Sequence, residues 1–302
     1  MKSANGKLLE FLEARLGSRH RGYRWFLLPL LMSSERELES ILSIPAKDAR
    51  VIHDALVSTF KHPVHVVGRD ELASLASSPR RVVVQTGVPC IDELLDGGFR
   101  AGQVYQIFGP TGSGKTEAGY LAICSFLRHP FGKDTKVAVI DTEHSFRPER
   151  LVQHAGGNLD LNKVFIATCY SSPHLVTLLG TIDAMMRRGA FIPLLVVDSV
   201  MPASIQLYQD EPVKRQRLLL DAAERMWAIS RDHGTCILFT NHAAGDLPLP
   251  SSSNVLLGYS DHAIHMRKEV SDAGTIAARV VKCTGGPERS TRFRIGPAGI
   301  TS

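Results

Sequence analysis

At 302 residues and 44% hydrophobic content the chain can bury a full core, and its net charge of +5 suits a polyanionic partner without demanding one. Cys90, Cys124, Cys169, Cys236 and Cys283 are odd in number, scattered and free of CxxC spacing, which argues against a disulfide framework or a zinc site and for a reducing compartment. There is no apolar h-region with a small-residue cleavage site and no run near the roughly 18 apolar residues that span a bilayer, so the expectation is a soluble, intracellular chain with no membrane partner.

Residues 1–60 read as a small helical domain, with Leu8, Leu9, Phe11, Leu12 and Leu16 at helical spacing, then Glu35 to Leu42, then Lys47 to Leu56 after Pro45. Residues 61–80 carry Pro63, Gly68 and Ser77-Ser78-Pro79 and read as a linker with one short helical turn around Glu71 to Ala76. From residue 81 to 302 strands and helices alternate. Strands are predicted at Val104 to Phe108, Val137 to Ile140, Val164 to Ala167, Leu194 to Val197 and Thr235 to Phe239. Helices fall over Glu117 to Leu127, after Pro148, after Pro173 and over Lys214 to Asp232. Such alternation predicts an α/β core, a mostly parallel sheet covered by helices on both faces. After Asp261 the helices stop, and Ala263 to Met266, Ile276 to Val281 and Phe293 to Ile295 read as strands closing one edge of that sheet.

The segment Gly109, Pro110, Thr111, Gly112, Ser113, Gly114, Lys115 and Thr116 matches GxxxxGK[ST] in full, between a predicted strand and a predicted helix. This context predicts a phosphate loop for ATP with Mg2+. Backbone N–H groups and the helix N-terminus face the phosphates, Lys115 reaches the β and γ phosphates, and the Thr116 hydroxyl faces the metal. A carboxylate at the end of another apolar strand should share that metal, and Asp198 ends Leu194-Leu195-Val196-Val197-Asp198. Glu143, just past the strand Val137 to Ile140, is the candidate catalytic base, with Asp141 its competitor. Thr240-Asn241-His242 follows the last central strand, where Asn241 is placed to hydrogen-bond a γ-phosphate.

Four stretches resemble the RecA/RadA family of strand-exchange recombinases in its eukaryotic branch. Thr86 to Gly98 is similar to the entry TG-x-x-x-LD-x-LL-x-GG, with Ile91 in place of the first Leu. Asp141 to Leu151 is nearly the recombinase DTEGTFRPERL, which puts the family's catalytic glutamate at Glu143. Val197-Asp198-Ser199 resembles the magnesium-side VDS, and Thr240-Asn241-His242 the TNQ or TNH segment. The resemblance implies a RecA-like P-loop ATPase core with a small N-terminal helical domain, DNA-dependent ATP hydrolysis that is slow, and a nuclear place in homologous-recombination repair of double-strand breaks.

Departures from the family pattern point to a recombinase paralogue. No Phe-x-x-Ala segment lies between His62 and Val84, which argues against a self-made filament. The two DNA loops would fall at Met201 to Lys214 and Ala243 to Leu257, the second without a basic residue. Contact with single-stranded DNA then leans on Lys214, Arg215 and Arg217. Thr-Asn-His and the compact N-terminus look most like the D-type paralogue. Tyr170 to Leu175 and the ending Ile295 to Gly299 resemble its partner, the second X-ray-repair cross-complementing paralogue. The implied partners are another paralogue, in a heterodimer or larger complex, and the main recombinase filament, whose assembly or remodelling the chain would assist. The alternative is a non-hydrolysing, ATP-bound scaffold subunit of a paralogue complex.

Overall fold

The computed structural model describes residues 45–51, 82–201, 212–243, 253–269, 272, 274–283 and 287–302. The predicted helices at Leu8 to Leu16 and Glu35 to Leu42, the linker, and the middle of each of the two DNA loops lie outside the described residues. The chain divides into two compact units, Met1–Glu71 and Leu72–Ser302. In the first, residues 46–51 are helical, and the Pro45 carbonyl accepts from Asp48 N and Ala49 N.

The second unit is an α/β core. It opens with β1 (Val83–Val84), α1 (Pro89–Leu94) and β2 (Phe99–Arg100), in which β1 and β2 pair antiparallel. There follow β3 (Val104–Gly109), α2 (Lys115–Arg128), β4 (Val137–Asp141), α3 (Pro148–His154), a short 3-10 turn at Leu161–Lys163, and β5 (Val164–Thr168). Next come α4 (Ser172–Arg187), β6 (Leu194–Asp198), α5 (Pro212–His233), β7 (Cys236–His242) and α6 (Ser253–Gly258). The chain then runs through β8 (His262–Lys268), β9 (Thr275–Cys283), β10 (Ser290–Gly296) and β11 (Gly299–Thr301).

Nine strands form one sheet in the order β11-β10-β9-β8-β3-β7-β6-β4-β5. From β8 to β5 every pairing is parallel, while β8–β9, β9–β10 and β10–β11 are antiparallel, so the predicted closing strands do cap one edge. Helix α6 takes up the end of the segment read from sequence as the second DNA loop. The small β1–β2 sheet and α1 carry too few residues for a periodic signal.

Side chains on a strand alternate between faces, so a strand covered on both sides reads as an unbroken apolar run. Val137, Val139, Leu194 and Val196 bury against the layer that contains Ala118, Leu121, Ala122 and Phe126 of α2. Their neighbours Ala138, Ile140, Leu195 and Val197 bury on the other face, with Leu179 and Ile182 of α4 and Ala222 and Met226 of α5. The parallel register aligns the carboxyl ends of the strands. Asp141 stands opposite Asp198, and Gly109 opposite His242, so one edge of the sheet collects the polar groups.

Phe126 anchors the α2 layer: it is fully buried, with ring centroids 6.4 Å from Phe99 and 5.9 Å from Phe131. Phe126→Ala removes a large ring that its neighbours cannot replace, and the expected loss is about 3–5 kcal/mol. Urea unfolding would read it as a lower midpoint at an unchanged slope.

Candidate nucleotide-binding site

The loop Pro110 to Gly114 joins the central strand β3 to the start of α2. The glycines that bracket it are dictated by space. A β-carbon on Gly109 would collide with the Met266 carbonyl oxygen, and Gly114, the N-cap of α2, has φ +87° and packs against Ile295. The first N–H groups of a helix have no partner within it, which makes this end an anion site. Ser113 Oγ is buried and has no hydrogen-bond partner among the described residues. Lys115 Nζ turns back to donate to the carbonyls of Gly109 at 3.0 Å and Pro110 at 2.9 Å. Burial holds the Lys115 ammonium below its usual pKa, with Glu143 and Asp198 pulling the other way. A cation bonded only to neutral carbonyls in a half-dry cleft gains when an anion replaces them.

Across the cleft, Thr116 Oγ1 donates to Asp198 Oδ2 at 2.8 Å, and Thr240 Oγ1 donates to the other oxygen of the same carboxylate. Burial pushes the Asp198 carboxyl above its usual range, and the Thr240 and Thr116 hydroxyls oppose that rise. A hydroxyl and a carboxylate oxygen converging beside the phosphate loop are the hard oxygen donors that Mg2+ takes. Next to them Thr142 Oγ1 donates to Ser199 O at 2.6 Å and accepts from Ser199 N at 2.8 Å, tying the end of β4 to the end of β6.

Glu143 and Asp141 separate clearly. Asp141 accepts from the backbone N–H groups of Glu143, Ser145 and Phe146, so its carboxylate shapes the turn. Glu143 faces the cleft, with Oε1 3.6 Å from His242 Nε2. The neighbouring His242 imidazole holds the Glu143 carboxyl below its usual range despite burial, which keeps it ionised. Asn241 is fully buried on β7, and its Oδ1 accepts from His242 N at 2.8 Å. A cleft of about 500 Å³ is lined by Thr111, Lys115, Thr116, Glu143, Asp198 and His242 among others. Lys115, Thr116, Asp198 and Glu143 are therefore brought to one cavity, with Asn241 behind its wall.

Lys214 and Arg215 fall on the first turn of α5, and Arg217 is exposed on the same helix. Sequence reasoning passed over the roles of Thr240 and His242, because a polar residue after a strand is also an ordinary turn former. It also passed over Glu117. Arg150 grips that carboxylate through Nε to Oε1 at 3.0 Å and Nη2 to Oε2 at 2.7 Å, and His154 Nε2 lies 2.5 Å from Oε2. Arg150 further donates to the carbonyls of Gly296 and Pro297.

A glycine loop between a central parallel strand and a helix, facing a hydroxyl–carboxylate pair across the carboxyl edge of the sheet, defines the P-loop nucleotide-binding proteins. The Rad51 family model matches residues 79–302, and the chain belongs to that family. Over 294 residues it is 27% identical to the meiotic recombination protein DMC1 homolog of Lilium longiflorum, which covers 90% of this chain and 81% of that protein. The family is one of DNA-dependent ATPases of recombination and DNA repair.

Burial opposes charge on Glu117, but the bonds from His154 and Arg150 outweigh it and hold the carboxyl below its usual range. A carboxyl depressed in the folded state stabilises the fold above its unfolded pKa, about 4.3, and loses that contribution as pH falls through the folded value. Glu117→Gln is expected to cost about 2 kcal/mol at pH 7. In urea titrations at a series of pH values, the gap from the wild type should begin to narrow below the unfolded pKa of about 4.3 and close as pH falls through the folded value.

Proposed function

We propose that this chain is a recombinase paralogue that binds ATP with Mg2+ and assists assembly or remodelling of a recombinase filament on single-stranded DNA. The observation that carries the ATP reading is the contact of Thr116 with Asp198 beside Lys115, with Glu143 lining the same cleft. In this reading Lys115 exchanges the carbonyls of Gly109 and Pro110 for phosphate oxygens, and the loop N–H groups hold the same anion. Thr116 and Asp198 hold Mg2+, which when bound neutralises charge on the phosphates. Glu143, kept ionised by His242, orients the attacking water and takes its proton. Asn241 anchors the backbone of His242, and through it the position of Glu143, which ties the end of β7 to the state of the nucleotide.

The remaining assignments follow from resemblance and charge. Residues 1–60 form a helical domain, 61–80 a linker and 81–302 the ATPase core. Lys214, Arg215 and Arg217 contact the DNA backbone, the partner is a second paralogue, and the site of action is the nucleus. Departure from the recombinase pattern at the linker supports a subunit of a mixed complex over a self-made filament.

Glu143→Gln keeps the shape of the site and removes the base. ATP turnover, measured with and without single-stranded DNA, should fall about 100-fold or more in the variant while ATP affinity stays within a few-fold. Turnover that survives the substitution rules out Glu143 as the base. Binding without turnover in either protein moves the reading to an ATP-bound scaffold.

A further inference from the structure

Besides Lys115, one other cation lines the nucleotide cleft among the described residues, and the phosphate-loop motif does not include it: Lys268, the last residue of β8. Its place follows from the alternation of the strand. Ile264 and Met266 are buried against Ala118 and Leu121 of α2, and Lys268 is the next residue on that face. Arg267 and Glu269 point the other way, where Glu269 pairs with Arg292 at 3.0 Å. Two constraints fix the strand end against the loop. The Met266 carbonyl stands where a β-carbon on Gly109 would be, and Lys268 is held opposite Ile276 of β9, with Glu269 N donating to Thr275 O at 2.9 Å. The result is that Lys268 Nζ lies 3.5 Å, and Cε 3.8 Å, from the position of a β-carbon on Gly112, at the middle of the phosphate loop.

The charges nearby are committed elsewhere. Asp272 accepts from Gly274 N and Thr275 Oγ1 and pairs with Arg294 at 2.5 Å, and Glu117 is held by Arg150 and His154. Lys268 makes no ion pair with any described residue. Its ammonium is exposed, on a stem long enough to swing over the loop. A Mg2+-bound triphosphate still carries net negative charge, and Lys115 alone faces it from within the loop. We propose that Lys268 is a second phosphate-binding cation, delivered within the same chain by β8, which closes on the outer side of the nucleotide's phosphates as Lys115 holds the inner side. This inference rests on the ATP-binding reading above.

The test is equilibrium binding of a fluorescent ATP analogue with Mg2+ to the full chain, comparing wild type, Lys268→Met, Lys268→Gln and Lys268→Arg. Loss of one charge-assisted contact at a partly solvated position should weaken binding about tenfold in the Met and Gln variants, while Arg stays within about threefold. The wild type should lose more affinity with added salt than the Met variant does. Melting without nucleotide should be alike in all four, because Lys268 is exposed. Met and Gln variants that bind as tightly as wild type, or that weaken only in step with a lowered melting temperature, overturn the role of Lys268 and leave the ATP reading standing. A wild type that binds no ATP while Mg2+ is present overturns both.

Discussion

A carboxylate buried at the end of a central strand is the constraint around which this site is organised. Asp198 sits where water is scarce, and burial by itself drives it toward the neutral acid. Two hydroxyls, from Thr116 on α2 and Thr240 on β7, satisfy its oxygens from opposite sides. That arrangement exists only while β6 lies between β4 and β7 in the observed register, because a shift of one residue would turn Asp198 to the other face of the sheet. The apolar runs of β4, β6 and β7 thus do more than fill a core. They set the height at which the glycine loop, Asp198 and Glu143 meet.

The second organising feature is the knot of Glu117, Arg150 and His154. Glu117 follows Thr116 directly, so the ion pair grips the first turn of the same helix that faces the phosphates. Arg150 spends its remaining donors on Gln153 and on the turn between β10 and β11. Residues far apart in the chain are thereby joined at the nucleotide end of the sheet, and the last strands brace the helix that presents Thr116.

The fold was legible because its signals are local and redundant. Runs such as Val137 to Ile140 and Leu194 to Val197 can only be buried strands when flanked by helical periods, and glycines at fixed spacing announce the phosphate loop. The residues of the motif also located the cleft. What stayed hidden depends on contacts between elements remote in sequence. Position and resemblance favour Glu143 with Asp141 its competitor, and only the fold shows that three backbone N–H groups consume Asp141 while Glu143 faces the cavity. Likewise Thr240 acquires a meaning only when β7 lies beside β6, and Lys268 only when β8 abuts Gly109. The two-residue strands β1 and β2 fall below the length at which any period can be read.

The close approach of Gly109 to the Met266 carbonyl also bears on when the site comes into being. Strand β3 is flanked by β7 and β8, and its first backbone N–H, on Val104, donates to the Asp261 carboxylate 157 positions later in the chain. Pairings across such separations are slow to form, because a long loop must close before they yield anything. A nascent chain that has just emerged past Thr116 contains every residue of the motif yet lacks both strands that hold β3 in place. The cleft around the glycine loop is therefore a late acquisition of synthesis, completed when β7 and β8 pair with β3, and an incomplete chain offers the cell a glycine loop with no wall behind it.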